Sequence, residues 1–331
     1  MQILKVQSNE ADQRLDKLLA KYLKQAPKSF LYKMMRKKNI TLNGKKCEGS
    51  ERLQEGDEIR LFFSDETIEK FSAPIQAEKA PNVRRQTRGW SVIYEDHHVL
   101  IVNKPSGLLS QKAKEGDYSL NEEILDYLIE SGHLQIGQLR TFRPSICNRL
   151  DRNTSGLVTA GVSLPGLQIM NRVFKDRRIH KYYRCLVKGE IREKQTIAGF
   201  LEKDPQTNRV TIHPVEVKGS VPIMTEYVPL ASNGRMTLLE VTLITGRSHQ
   251  IRAHLASIGH PILGDYKYGD RALNDRCKKS YGITSQMLHS WKLVMPPDLE
   301  EPLAYLSGRE FFAPLPETFT RVMEMEGISD S

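Results

Sequence analysis

Residues 148–156 read NRLDRNTSG and place one carboxylate, Asp151, between two arginines and ahead of a Thr-Ser-Gly turn. Positive charge at Arg149 and Arg152 favours the ionised form of Asp151, and an ionised carboxylate serves as a nucleophile or a general base. The same residues also suit a turn or helix cap, because Asp followed by Thr, Ser and Gly is turn chemistry. On these nine positions alone both readings stand.

Working outward, three more segments carry patterns of comparable density. Residues 93–107 read IYEDHHVLIVNKPSG, residues 181–189 read KYYRCLVKG, and residues 246–269 read GRSHQIRAHLASIGHPILGDYKYG. Together with NRLDRNTSG they closely resemble, in order, the motifs NKPxG, HRLDxxTSG, KxYxAxVxG and GRTHQIRxHLxxxGxPxxGDxxYG of the RluA-type pseudouridine synthases. Four spaced motifs in the right order are far less expected by chance than any one of them. Asn148 stands where that family usually has His and Ser248 where it usually has Thr, and neither departure touches the residues the chemistry needs.

Irregularly mixed helices and strands imply an α+β chain rather than a doubly wound parallel sheet, and the resemblance implies a mixed central β-sheet with an RNA cleft. It also implies a reaction: the N1–C1′ bond of a uridine in RNA is cut, the base turns, and C5 joins the same C1′. Such an isomerisation needs no redox cofactor and no nucleotide, and the sequence holds neither a phosphate-binding G-x-x-x-x-G-K-[ST] loop nor a dinucleotide fingerprint. Asp151 matches the family's catalytic aspartate. Arg252 matches its partner arginine, whose planar fork is expected to grip Asp151 at two points, where the alternative is an ordinary surface arginine. Tyr183 aligns with the active-site tyrosine, its ring to stack on uracil and its hydroxyl suited to the later proton transfer from C5. Alternation along a strand sends Tyr182 to the opposite face, and a buried structural tyrosine is the alternative reading of Tyr183.

A stacked uridine hides C1′ and N1, so the base must leave the stack, and Arg149 is the expected wedge in the vacated space. The alternative for Arg149 is a salt bridge within its loop. Lys104 and Gly107 of NKPSG, and Gly264-Asp265 with Tyr268-Gly269, are expected to shape turns rather than perform chemistry.

With 331 residues, 39% of them hydrophobic, the chain suits one large domain or two unequal ones. Its longest apolar run, Val99 to Val102, is far short of a membrane span, and the start MQILKVQSNEADQRLDK lacks signal-peptide order, so a cytoplasmic protein with no membrane partner is expected. Four scattered cysteines form no C-x-x-C pattern and predict no disulfide framework. His249 and His254 lack the Glu of a metalloprotease helix, and no metal is predicted.

The net charge of +9 suggests a polyanionic partner, and its distribution says more. Between Lys24 and Lys46 lie eight Lys or Arg and no acidic residue, interleaved with Phe30, Leu31, Tyr32, Met34, Met35, Ile40 and Leu42. A solvated charged face is the alternative. Leu15, Leu18, Leu19, Tyr22 and Leu23 form one apolar helix face. A second helix is predicted over 29–38, then a strand at 40–42, a type I′ turn at Asn43-Gly44, a turn at 55–57 and a strand at 58–63. Over residues 12–63 this resembles the RNA-binding domain named after small-subunit ribosomal protein S-four, with Lys33, Arg36, Lys37 and Lys38 as RNA-binding residues.

The boundaries expected are an RNA-binding domain over 1–72, a linker over 73–89 and a catalytic domain over 90–331. In the latter, Ser91 to Val102 reads as two β-rich runs, and Ser119 and Glu122 fit a reciprocal capping box. Leu167 to Phe174 reads as a helix, and Tyr182 to Val187, Val210 to Ile212 and Met236 to Thr245 as strands. The expected function is a pseudouridine synthase of large-subunit (23S) ribosomal RNA, a monomer. A transfer-RNA substrate, or an inactive RNA-binding assembly factor, is the alternative.

Overall fold

The computed structural model describes residues 1–7, 10–72 and 89–329, so most of the expected linker lies outside the described residues. The N-terminal unit runs β1 (Gln2–Lys5), α1 (Leu15–Tyr22), α2 (Lys28–Arg36), β2 (Ile40–Leu42), β3 (Lys45–Lys46), β4 (Glu58–Leu61) and α3 (Asp65–Phe71). The apolar face read from the sequence folds inward: Leu15, Leu18, Leu19, Tyr22 and Leu23 are buried, with Leu31 and Met35 of α2 against them. Asn43 and Gly44 both take positive φ, 49° and 74°, as a type I′ turn requires. Two elements were not anticipated. Strand β1 pairs with β4 to give the order β1-β4-β2-β3, and α3 is capped by Ser64, which accepts from the Thr67 N–H.

The remainder is built on one large mixed sheet. Its strands are β5 (Ser91–Glu95), β6 (Val99–Lys104), β7 (Ser145–Ile146), β8 (Ser155–Gly161), β9 (His180–Lys188), β10 (Gln195–Lys203), β11 (Val210–His213), β12 (Val221–Ser232), β13 (Met236–Leu243), β14 (Leu288–Val294) and β15 (Glu310–Phe312). The order along the sheet is β11-β10-β12-β13-β9-β14-β8-β6-β5, with β7 beside β8 and β15 beside β14. Strand β14 runs parallel to β8, whereas β9, β13, β12 and β10 meander antiparallel. Helices α4 (Leu120–Glu130), α5 (Leu164–Lys175), α6 (Gln250–Ser257), α7 (Arg271–Tyr281) and α8 (Glu317–Met325) complete the α+β arrangement. Apolar residues collect in two main cores, one lined by Val102, Ile124, Leu186, Leu239 and Leu255, the other by Val99, Leu157, Met170 and Leu293.

The junction of β8 with β14 depends on one glycine. Gly156 has φ 111°, and a Cβ there would meet the Ser290 carbonyl oxygen at 2.1 Å, so the end of the opening stretch is a close backbone crossing at the start of β8, and the turn expected at Thr-Ser-Gly falls instead at Arg152-Asn153. The expected capping box at α4 is corrected. Ser119 does occupy the N-cap, but its hydroxyl donates to Glu122 Oε2 at 2.5 Å, with the Ser110 carbonyl as the competing acceptor at 3.3 Å, instead of accepting a helix N–H. The adjacent carboxylate is the stronger acceptor and takes the proton. The two units touch where the Arg140 guanidinium lies over the Tyr22 ring and the Thr141 hydroxyl donates to Glu10. Among the described residues no helix is long and apolar enough to cross a membrane.

Candidate active site

Asp151 lies in the loop entering β8, and two neighbours fix that loop. Lys104, at the end of β6, is fully buried, and its ammonium donates to the carbonyls of Pro105, Leu108 and Arg152 at 2.9, 2.8 and 3.0 Å. Gly107 N–H also donates to Arg152 O, and Arg152 Nε donates back to Gly107 O. The NKPSG segment thus clasps the Asp151 loop, in keeping with its expected role in shaping turns. Burial pulls the Lys104 ammonium down to about 7, against the opposing pull of Asp151. Asn148, the departure from the family's usual His, accepts the Thr159 N–H at 2.8 Å and donates to Leu157 O at 3.2 Å, which stitches the loop to β8.

Arg252 reaches Asp151 from α6, whose start is held by the buried Gln250. Its amide accepts from Thr245 Oγ1 and Arg247 N–H and donates to Met224 O and Thr225 Oγ1. Arg252 Nη1 donates to Asp151 Oδ2 at 2.8 Å. The two-point grip, however, is on another carboxylate: Nε and Nη2 donate to Asp265 Oδ2 and Oδ1 at 2.7 and 2.9 Å. This corrects the expectation that the fork would close on Asp151 and that Asp265 only shapes a turn. Asp265 is 1% exposed, and a carboxylate so deeply buried needs the planar pairing, whereas Asp151 at 24% side-chain exposure keeps part of its solvation. Burial raises the Asp265 carboxyl, but the Arg252 bonds and charge outweigh it and hold the group below the usual range. Burial likewise opposes the charge on Arg252, and the two aspartates more than restore it.

Tyr183 lies on β9 opposite Val241 of β13 and Ser290 of β14. It is buried against the core and lines the cleft, while Tyr182 points to the other face under the Lys292 ammonium, 4.4 Å from its ring centroid. Strand alternation therefore separated the two tyrosines correctly. Burial, reinforced by the Asp151 charge, pushes the Tyr183 phenol well above its ordinary value, so the free protein holds a neutral phenol beside the carboxylate.

Asp151, Tyr183 and Arg252 meet in one open cleft of about 760 Å³, whose walls also carry Lys112, Arg149, Lys175, Lys181, Lys203 and Arg247. Arg149 is exposed at this cleft, with Nη1 3.4 Å from Gln111 Oε1 rather than in an ion pair within its loop. Lys33, Arg36, Lys37 and Lys38 lie apart from the cleft, all exposed on α2 and the turn after it. Sequence reasoning gave Asp265 only a turn and left His249 without a place at the site. The signal for the first was an acidic residue directly after the apolar stretch Ile262-Leu263-Gly264, and for the second a histidine beside the Gln-Ile-Arg start of α6.

Comparison with known proteins identifies the family. The family model for RNA pseudouridylate synthase matches residues 98–257, and that for the S4 domain matches residues 13–59. The ribosomal large subunit pseudouridine synthase C of Vibrio cholerae is 30% identical over 297 residues, which cover 88% of this chain and 87% of that protein. Its counterpart from Vibrio vulnificus is 29% identical over 331 residues, 98% of this chain and 96% of that one. Among solved structures, the human RNA pseudouridylate synthase domain containing 4 shares the fold, with a TM-score of 0.59 at 21% identity over 72% of this chain and 94% of that one. The chain belongs to the RluA-type RNA pseudouridine synthases and carries an N-terminal S4 domain. It is thus an RNA-modifying isomerase, with the α+β fold expected from its motifs.

Proposed function

We propose that the chain converts uridines of large-subunit ribosomal RNA to pseudouridine, with Asp151 as nucleophile or base at C1′, Arg252 as its electrostatic partner and Tyr183 as the stacking and proton-handling residue. The observation that carries the assignment is the Asp151–Arg252–Asp265 array. One arginine is locked by a buried carboxylate and presents a single N–H to a second, partly exposed carboxylate at a cleft. That arrangement pairs Asp151 with a fixed cation and aims it, while leaving it open to a flipped nucleotide. Arg149, exposed at the same cleft, is the wedge that fills the space left by the base.

The exposed cations Lys33, Arg36, Lys37 and Lys38 give the N-terminal domain its phosphate contacts, and the segment 73–89 joins it to the catalytic domain over 90–331. The protein works in the cytoplasm, without a metal or organic cofactor. Ribosomal RNA is favoured over transfer RNA by the names of the relatives and by the S4 domain beside the catalytic unit. The test is to map pseudouridine in ribosomal and transfer RNA from cells with and without the gene. Loss of sites in large-subunit RNA alone is expected. Loss confined to transfer RNA would overturn the substrate, and no loss in either would overturn the activity.

A further inference from the structure

The segment that carries Arg252 brings a second group to Asp151. His249 stands at the N-cap of α6 with φ 55° and ψ 12°, a left-handed backbone that a residue with a side chain adopts at a cost. Its ring makes no cap hydrogen bond and instead lines the cleft. Nε2 lies 3.9 Å from Asp151 Oδ2, the same oxygen that Arg252 Nη1 holds at 2.8 Å.

The other ring nitrogen fixes which way the proton points. Nδ1 is 2.8 Å from the Tyr268 hydroxyl, and that oxygen already accepts the Val210 N–H at 3.0 Å. Each group is satisfied when the Tyr268 proton goes to Nδ1, which leaves the neutral ring's own proton on Nε2, facing Asp151. Tyr268 is itself held in place. Its ring packs edge-on against His249, and the Arg252 and Arg209 guanidinium carbons lie 5.2 and 5.4 Å from its centroid. Burial lowers the His249 imidazole below its ordinary 6.5. Asp151 opposes the shift, Arg252 and Lys267 add to it, and Asp265 opposes it.

We propose that His249 is a positioning residue for Asp151: its Nε2–H, aimed by Tyr268, closes on Oδ2 when RNA fills the cleft, so that two donors hold Oδ2 and Oδ1 faces the sugar. This rests on the assignment of Asp151 above. A separation of 3.9 Å in the free protein is compatible with a contact that tightens in the complex. Protonation of the ring would set a full positive charge beside the carboxylate and weaken it as nucleophile or base. The rate therefore falls as the pH drops through the lowered imidazole value, on the acid side of 6.5.

The test is single-turnover kinetics of the full chain on substrate RNA with uridine tritiated at C5, where tritium is released as C5 bonds C1′. His249→Asn tolerates the left-handed backbone but loses the ring, His249→Gln keeps an N–H near the place of Nε2, and Tyr268→Phe removes the hydroxyl that orients it. The expected result for His249→Asn is a rate lowered roughly ten- to hundredfold with RNA affinity within about twofold of the parent. His249→Gln is expected to recover part of the rate and to lose the imidazole titration on the acid limb, and Tyr268→Phe to fall several-fold. A His249→Asn rate within about twofold of the parent would overturn the proposal. So would a His249→Gln pH profile that superimposes on the parent's, and if the Asn variant does not fold, the Gln and Tyr268→Phe results decide in the same way. Asp151→Asn, run alongside, separates the two assignments. An active Asp151→Asn sinks the role of the aspartate, whereas an inactive one beside parent-like His249 variants sinks the role of His249 alone.

Discussion

Arg252 is one guanidinium divided between two carboxylates, and the division explains how a buried cation can serve a partly exposed site. The fork to Asp265 fixes the plane of the group, and the remaining Nη1 then points to Asp151 without further freedom. Lysine keeps the charge but cannot reproduce three directed N–H bonds. Arg252→Lys is therefore expected to lower the rate on the order of a hundredfold, the scale of losing one preorganised donor, with RNA binding largely kept. Turnover close to the parent's, with an intact thermal melt, would show that the fork does not aim Asp151. At this scale the sequence was informative about residue identity and about the Arg252–Asp151 contact, and silent about how the guanidinium is divided. Asp151, Arg252 and Tyr183 could be named from their motifs, and the K-x-Y spacing from Lys181, with strand alternation, chose the ring that lines the cleft. Which carboxylate takes the two-point grip depends on relative burial, and burial is set by the packing of residues far apart in the chain. The same is true of His249, whose role follows from a backbone angle and from Tyr268, nineteen residues away.

At the scale of elements, α2 and the turn after it present a cationic surface that the fold itself does not need. Leu31 and Met35 make the buried contacts of the helix, whereas Lys33, Arg36, Lys37 and Lys38 are exposed. Replacing the four by Gln should leave the fold intact and weaken RNA binding. For every phosphate left unneutralised, the slope of log affinity against log salt should flatten by roughly 0.7 to 0.9. Binding that matches the parent's across a salt titration would return this face to the reading of a solvated surface. Elements with a local signature were legible. Examples are the helix carried by Leu15, Leu18 and Leu19, the Asn-Gly turn and the strand at 210–213, which was expected within one residue of its end. The strands β10, β12 and β14 were not. Strand β12 alternates in burial from Pro222 to Val228, but its inward residues include Thr225 and its outward ones Met224 and Val228, so polarity does not follow the two-residue period, and a register shift between Pro229 and Ala231 ends the alternation.

For the molecule as a whole, the α+β class followed from the irregular mixture of helices and strands, the order of the two units and the mixed central sheet were implied by resemblance, and the sheet order was beyond the reach of pattern. The parallel crossing of β14 on β8, which brings residues 285–290 beside the Asp151 loop, joins segments more than a hundred residues apart and rests on Gly156. That crossing brings the Tyr183 strand and the Asp151 loop to one space, which Arg252 enters from α6, and Asp151 is the group proposed to attack there. The most direct measurement is tritium release from C5-labelled large-subunit ribosomal RNA by purified Asp151→Asn, with RNA affinity measured on the same sample. The substitution keeps size and shape and removes the charge. RNA binding near that of the parent and no tritium release above background are expected, whereas release at a rate near the parent's would show that Asp151 is not the attacking group.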